Sequence, residues 1–206
     1  MIAGLTVADL ARPSERGRAR LYDAALILGG SFVVAVGAQI AVGYPVPVTG
    51  QTFVVLIVAA LLGSRRGVLC ILTYLAEGLA GLPVFAQGKA GPAALFGPTG
   101  GYLVGFLLAA WIVGALSERT WDRRVPTTVA AMILGNLAIY VCGLAWLSCL
   151  AWLFAKPLGG AVLAVGLYPF VAGDLLKIAL AAVLLPSGWK IIRHFDLLKP
   201  HVFDKM

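Results

Sequence analysis

Six apolar runs, 15 to 27 residues long and almost free of charge, make up most of the sequence: Leu21–Val42, Val46–Leu62, Val68–Val84, Tyr102–Leu116, Thr127–Leu153 and Phe170–Trp189. As helices they approach or exceed what a hydrocarbon core of roughly 30 Å requires. None has the alternating pattern of the roughly ten-residue strands that build a membrane barrel. With 61% hydrophobic and 12% charged residues over 206 positions, one soluble core does not hide this much apolar surface. The chain reads as an all-α integral membrane protein, a six-transmembrane-helix bundle in contact with membrane lipids.

The charges supply the topology. Arg12, Arg16, Arg18 and Arg20 precede the first run, and Arg65 and Arg66 separate the second from the third. Arg119, Arg123 and Arg124 follow the fourth, and Lys190, Arg193, Lys199 and Lys205 follow the sixth. Thirteen of the sixteen Lys and Arg residues thus fall on one face, against Lys89 and Lys156 in the opposite loops. Positive charge is retained inside, so both termini are expected in the cytoplasm. Residues 1–20 then form a basic cytoplasmic segment, 21–189 a six-helix membrane domain and 190–206 a cytoplasmic tail. The first run, with its basic flank and the small residues of Ala35-Val-Gly-Ala38, has elements of a signal peptide. Its removal would leave five spans and break the charge parity. No basic-plus-aromatic cluster points to nucleic acid.

Two outward connections are unusual. Gly43-Tyr-Pro-Val-Pro-Val-Thr-Gly-Gln51 carries two prolines that favour extended backbone. The stretch from Gly81 to Tyr102 combines six glycines and three prolines with apolar residues, where an exposed linker would be polar. Apolar, non-helical backbone near a membrane must be buried in protein or line a cavity. This stretch is expected to be a structured lid or re-entrant loop. Ala25, Gly29 and Gly37 form a row of small residues on the first helix that admits another helix closely, either a partner's or one of this bundle's own.

Asp174 and Lys177 stand three residues apart at the start of the last run, on one helix face. Ionisable groups at membrane depth are costly, so they pair and serve a ligand or ion path; a structural ion pair near the interface is the other reading. Gly173, Pro169 and Tyr168 favour a small-molecule site. Glu77 has three readings, a partner to Lys89, a partner to Lys177 or a solvated acid. Asn136 needs a partner for its buried amide, as ligand contact or as interhelical glue. Lys89 is a loop cation available to an anionic group or simply solvated.

His194 and His201 lie outside the runs, and Cys70, Cys142 and Cys149 have no metal-ligand spacing, so no metal site is expected. Ser31 and Ser148 lack a nucleophile setting, and Gly88-Lys89 is not part of a phosphate loop. No catalytic residue is expected, and a membrane-embedded enzyme is the alternative of a different class.

Four ordered motifs carry a further signal: Pro45-Val-Pro-Val-Thr-Gly-Gln-Thr-Phe53, Gly81-Leu-Pro-Val-Phe-Ala86, Gly97-Pro-Thr-Gly-Gly-Tyr102 and Gly173-Asp-Leu-Leu-Lys177. Through them the chain strongly resembles the BioY family, biotin-binding S components of energy-coupling factor transporters, from about Ala24 to about Pro186. The resemblance implies a six-helix S component in the bacterial cytoplasmic membrane. Its pocket would take biotin from outside and be closed by the loops after the first and third helices. It also implies a transmembrane T component and two ATPase subunits as partners, with ATP used only by them and no cofactor in this chain. It places Asp174 and Lys177 in the biotin site and, less directly, Lys89, Asn136 and Tyr74. Asp174 would accept a ureido N–H, Lys177 donate to the ureido carbonyl, and Lys89 or Asn136 hold the carboxylate; the reverse places Lys177 on the carboxylate. Tyr74, Phe85 and Tyr168 would wall the apolar rings, with Glu77 nearby. An S component for another vitamin is the alternative within transport.

Overall fold

The computed structural model of the protein describes residues 4–43, 46–153 and 161–194. Tyr44, Pro45, Lys156, Lys199, His201 and Lys205, named above, lie outside the described residues. Two helices, α1 (Val7–Leu10) and α2 (Arg16–Gln39), lead into a hairpin of β1 (Ala41–Val42) and β2 (Val48–Thr49). Next come α3 (Gln51–Leu79), a loop holding the 3-10 turn Ala86–Gly88 and α4 (Pro92–Leu95), and α5 (Gly100–Glu118). A second 3-10 turn, Trp121–Arg123, joins α5 to α6 (Val125–Leu153), and α7 (Ala161–Gly166) precedes α8 (Tyr168–His194). Among the described residues, five helices are long and apolar enough to cross a membrane: α2, α3, α5, α6 and the α7–α8 stretch Ala161–His194.

Of these, α3 is not one rod. At Gly63 the backbone takes φ +84° and ψ 176°, a conformation open to glycine and costly for other residues. The chain doubles back there. A Cβ on Gly67 would lie 3.2 Å from the Ala59 Cα, and the Gln51 amide reaches the Tyr74 hydroxyl at 2.7 Å although 23 residues separate them. In a straight helix those 23 residues would span about 35 Å. The arms 51–62 and 64–79 are therefore antiparallel, and both ends of α3 reach the same end of the bundle. The sequence divides this stretch at 62/68, close to the observed break.

The middle helix of the bundle, α5, packs along both α3 and α6; α2 covers α3, and α8 lies on α6. Leu56, Ile71, Phe106, Val113, Met132 and Ile139 fill the core between them. Large apolar side chains also face outward, among them Phe32, Trp111, Val141 and Leu184. An apolar exterior with helical, internally bonded backbone is what lipid requires.

At one end the charged segments meet. Arg66 bridges Asp9 (2.9 Å) and Asp23 (2.8 Å), and Arg12 also holds Asp23 (2.7 Å). Glu118 accepts from the Ser64 N–H and hydroxyl at 2.8 Å each, and Arg123 Nη2 donates to the Leu5 carbonyl at 3.0 Å. The opposite end carries the β-hairpin and the 81–99 loop. That loop is structured, as its apolar composition requires. Its Gly91 N–H bonds the Gly78 carbonyl at 2.8 Å, and the Gln39 side chain ties Phe85 and Gly88 to α2.

The small-residue row on α2 splits. Ala25 and Gly29 are exposed, and nothing lies within 4 Å of a Cβ placed on Gly29. Gly37 is buried, and a Cβ there would meet Val54 Cγ2 at 2.8 Å. Four-residue spacing drifts about 40° per step around a helix of 3.6 residues per turn. Three steps therefore carry the row from the open face of α2 to the face packed on α3.

Candidate functional site

Beneath the hairpin and the 81–99 loop lies a cavity of about 660 Å³, space open to solvent included. Phe85, Tyr102, Leu103, Phe106, Ile139 and Phe170 give it an apolar, largely aromatic wall. Tyr102 and Phe170 face each other with ring centroids 6.2 Å apart. Polar groups converge on the cavity from Thr49 on β2, Gln51 and Thr52 on α3, Lys89 and Thr99 on the 81–99 loop, Tyr140 on α6, and Asp174 and Lys177 on α8.

The pair is the centre of this arrangement. Lys177 Nζ donates to Asp174 Oδ1 at 2.7 Å, to the Thr52 hydroxyl at 2.8 Å and to the Thr49 carbonyl at 2.8 Å. All three ammonium N–H groups are thereby used. The Thr52 hydroxyl donates to Asp174 Oδ1 at 3.0 Å, and the Tyr140 hydroxyl donates to Asp174 Oδ2. The Asp174 side chain is only 5% exposed. The two side chains meet each other and have their remaining bonds met; removing one would leave the other buried and without its partner. A ligand carrying both donors and acceptors can exchange with these bonds on one rigid patch.

Four of the eight expected site residues line the cavity: Asp174, Lys177, Phe85 and Lys89. Phe85 is 2% exposed, fitted against Gly78, where any Cβ would collide with its ring. Lys89 is exposed on the loop at the rim. Tyr74 is fully buried behind Phe85, with edge-to-face rings 5.5 Å apart and its hydroxyl donating to the Val84 carbonyl at 3.2 Å. It supports the wall without forming it. Glu77 also lies outside the cavity and accepts from the Ser31 hydroxyl at 2.9 Å, not from Lys89 or Lys177.

Asn136 borders a smaller neighbouring space of about 180 Å³ together with Thr52 and Lys177. Its amide donates to the Met132 carbonyl at 3.2 Å, and its Oδ1 has no partner among the described residues. Tyr168 is 62% exposed and points away. It precedes Asp174 by six positions, about 240° around the helix, whereas Phe170 precedes it by four and shares its face.

Tyr140, Thr49, Thr52 and Tyr102 complete the site and were not singled out by sequence. Tyr140 stands one turn beyond Asn136 on the same face of α6, a signal that the periodicity carries. Thr49 and Thr52 lie inside the Pro-Val-Thr-Gly-Gln-Thr motif.

The fold defines an all-α, multi-pass membrane protein with an aromatic-walled cavity at one end of its bundle. The model of the BioY family matches residues 12–194, and the chain belongs to the BioY family. It is 39% identical over 162 residues to the biotin transporter BioY of Thermotoga maritima, covering 77% of this chain and 92% of that one. It is 38% identical over 169 residues to the biotin transporter BioY of Rhodobacter capsulatus, covering 78% and 86%. Among solved structures, the S component for biotin from an ECF-type ABC transporter superposes with a TM-score of 0.69 over 86% of this chain and 95% of that one. At 23% identity that likeness shows a shared fold.

Proposed function

We propose that this chain captures biotin in the cavity around Asp174 and Lys177 and serves as the substrate-binding S component of an ECF-type transporter. The observation that carries the reading is the coupled network of Asp174, Lys177, Thr52 and Tyr140 set against an aromatic wall. Biotin presents a flat ureido group with two N–H donors and one carbonyl acceptor, beside an apolar thiophane ring. Asp174 accepts a ureido N–H, Lys177 donates to the ureido carbonyl, and the ring system lies against Phe85, Phe106 and Phe170. The carboxylate tail then extends to the rim, where Lys89 meets it. Relatives named biotin transporters support this choice of ligand.

Counting the α3 hairpin as two crossings supports a reading of six crossings with both termini on one side. The arginines gathered at that end favour the cytoplasm, with the cavity facing outward from the bacterial cytoplasmic membrane. Uphill transport needs an energy source, and no phosphate loop is present in the sequence. The chain therefore works with a transmembrane T component and two ATPase subunits, docking through the open face at Ala25 and Gly29. It is a carrier component and not an enzyme.

Competition of a panel of unlabelled vitamins against radiolabelled biotin on the purified protein tests the assignment. Displacement by biotin alone is expected. Displacement by another vitamin at lower concentration than biotin would reassign the ligand.

A further inference from the structure

A second concavity, about 1020 Å³ including open solvent, lies at the charged end between α2 and the 64–79 arm of α3. These two walls run parallel, and both change character in the same direction. On α2 the lining goes from Arg20 through Asp23 to Ile27; on α3 it goes from Arg65 and Arg66 to Leu69. Each wall therefore begins in guanidinium and ends, one to two turns deeper, in aliphatic side chain. Leu69, and Leu28 elsewhere on α2, are 41% and 57% exposed, so both helices carry outward apolar surface beyond their arginines.

The cations in the groove are of two kinds. Arg12 and Arg66 are fixed by Asp23 and Asp9, and Glu118 is taken by Ser64. Arg20 and Arg65 are exposed and form no ion pair or hydrogen bond among the described residues. The acids are thus engaged by residues other than the two free guanidiniums, which stand at the charged end of a groove that turns aliphatic at Ile27 and Leu69. From this we infer that the groove binds an anionic glycerophospholipid, its phosphate between Arg20 and Arg65 and an acyl chain along Ile27 and Leu69. Guanidinium binds phosphate oxygens with two parallel hydrogen bonds, and basic pockets between helices at the cytoplasmic side suit such headgroups. The graded lining selects a lipid over a soluble phosphate, which would use only the upper half of the groove.

The inference depends on membrane embedding and not on the identity of the vitamin. Its test uses the full-length protein in neutral detergent, with melting temperature and retained lipid by native mass spectrometry as readouts. The parent is compared with the double variant Arg20→Gln/Arg65→Gln, which leaves every ion pair in the groove in place. Biotin binding by both proteins shows that they are folded. Phosphatidylglycerol is expected to raise the parent's melting temperature by about 3 °C and to be retained. Phosphatidylcholine of the same acyl chains and glycerol phosphate are expected to do neither, and the double variant should lose the effect. Equal stabilisation by phosphatidylcholine, or an unchanged effect in the double variant, would overturn the site. Equal stabilisation by glycerol phosphate would replace the lipid with a soluble anion. Loss of ATPase-subunit binding in the double variant, with lipid retention intact, would make the groove a protein surface instead.

Discussion

The Tyr140 hydroxyl on α6 donates to Asp174 Oδ2 on α8, so the acid of the site is held from a helix other than its own. The second carboxylate oxygen, Oδ1, is occupied by Thr52 and Lys177. Asp174 is thereby fixed in one rotamer with its lone pairs directed by three elements. A carboxylate positioned in this way discriminates among ligand donors because misaligned partners gain little.

Tyr140→Phe removes that hydroxyl while keeping the ring in the cavity wall. The expected result is a protein of near-parent melting temperature whose biotin affinity falls about tenfold, or about 1.4 kcal/mol. Equilibrium binding in detergent measures it. Parent-like affinity would show that Thr52 and Lys177 suffice to place Asp174.

The reach of the sequence stops at relationships of this kind. Asp174 and Lys177 are legible because charge is rare in apolar helices, and their three-residue spacing alone brings them together. Tyr140 and Thr52 are ordinary residues for a membrane helix; only the packing of α3, α6 and α8, more than thirty residues apart in sequence, gives them a role. Tyr74 and Glu77 illustrate the opposite case. They are conspicuous polar groups in an apolar run, yet each finds a partner elsewhere in the bundle, Tyr74 with Gln51 and Val84, Glu77 with Ser31. The helical nature of the runs follows from their length and apolarity, while the tight reversal at Gly63 depends on a backbone angle that composition does not announce.

The split of the small-residue row on α2 predicts different outcomes for two like substitutions. Gly29→Leu adds a side chain to open space, so folding and biotin affinity should stay near the parent's while uptake with the partner subunits is lost. Gly37→Leu drives a side chain into Val54 and should lower the melting temperature, as overpacking costs about 1–3 kcal/mol. Size-exclusion profile, binding and cellular uptake separate the two. Unimpaired uptake by Gly29→Leu would remove that face from the docking surface.

At Gly63 a side chain is excluded twice. The φ of +84° disfavours any L residue, and a Cβ would lie 2.8 Å from Glu118 Oε1. Gly63→Ala should therefore cost on the order of 1–3 kcal/mol in stability. Thermal unfolding in detergent reads this directly, and a parent-like midpoint would contradict the tight reversal.

Asp122, in the turn between α5 and α6, is 1% exposed, and Trp189 Nε1 donates to its Oδ2 at 2.5 Å. Burial raises its carboxyl above the usual value near 3.8, outweighing the Trp189 bond and the nearby Arg123. The folded state thus holds this proton more tightly than the unfolded chain does. Stability from this group is greatest at low pH and falls as pH rises from about 3.8 through the raised value. Asp122→Asn keeps an acceptor for Trp189 and should flatten that part of the pH–melting profile. A slope unchanged in the variant would assign it to other groups.

Orientation is tested by single cysteines in a background without the native thiols. A cysteine at Gly88, on the loop over the cavity, should react with an impermeant reagent outside intact cells. One at Ser64, beside the arginines, should not. Labelling of Ser64→Cys from outside would invert the bundle.

The most direct measurement is equilibrium binding of radiolabelled biotin to the purified protein and to its Asp174→Asn and Lys177→Ala variants, all at equal monodispersity. Saturable binding by the parent at one site per chain is predicted, with each variant weakened about 100-fold or more, roughly 2.8 kcal/mol. Removing one partner both deletes a ligand contact and leaves the other unmatched. Parent-like binding by both variants would show that the pair is structural and that biotin, if bound, sits elsewhere.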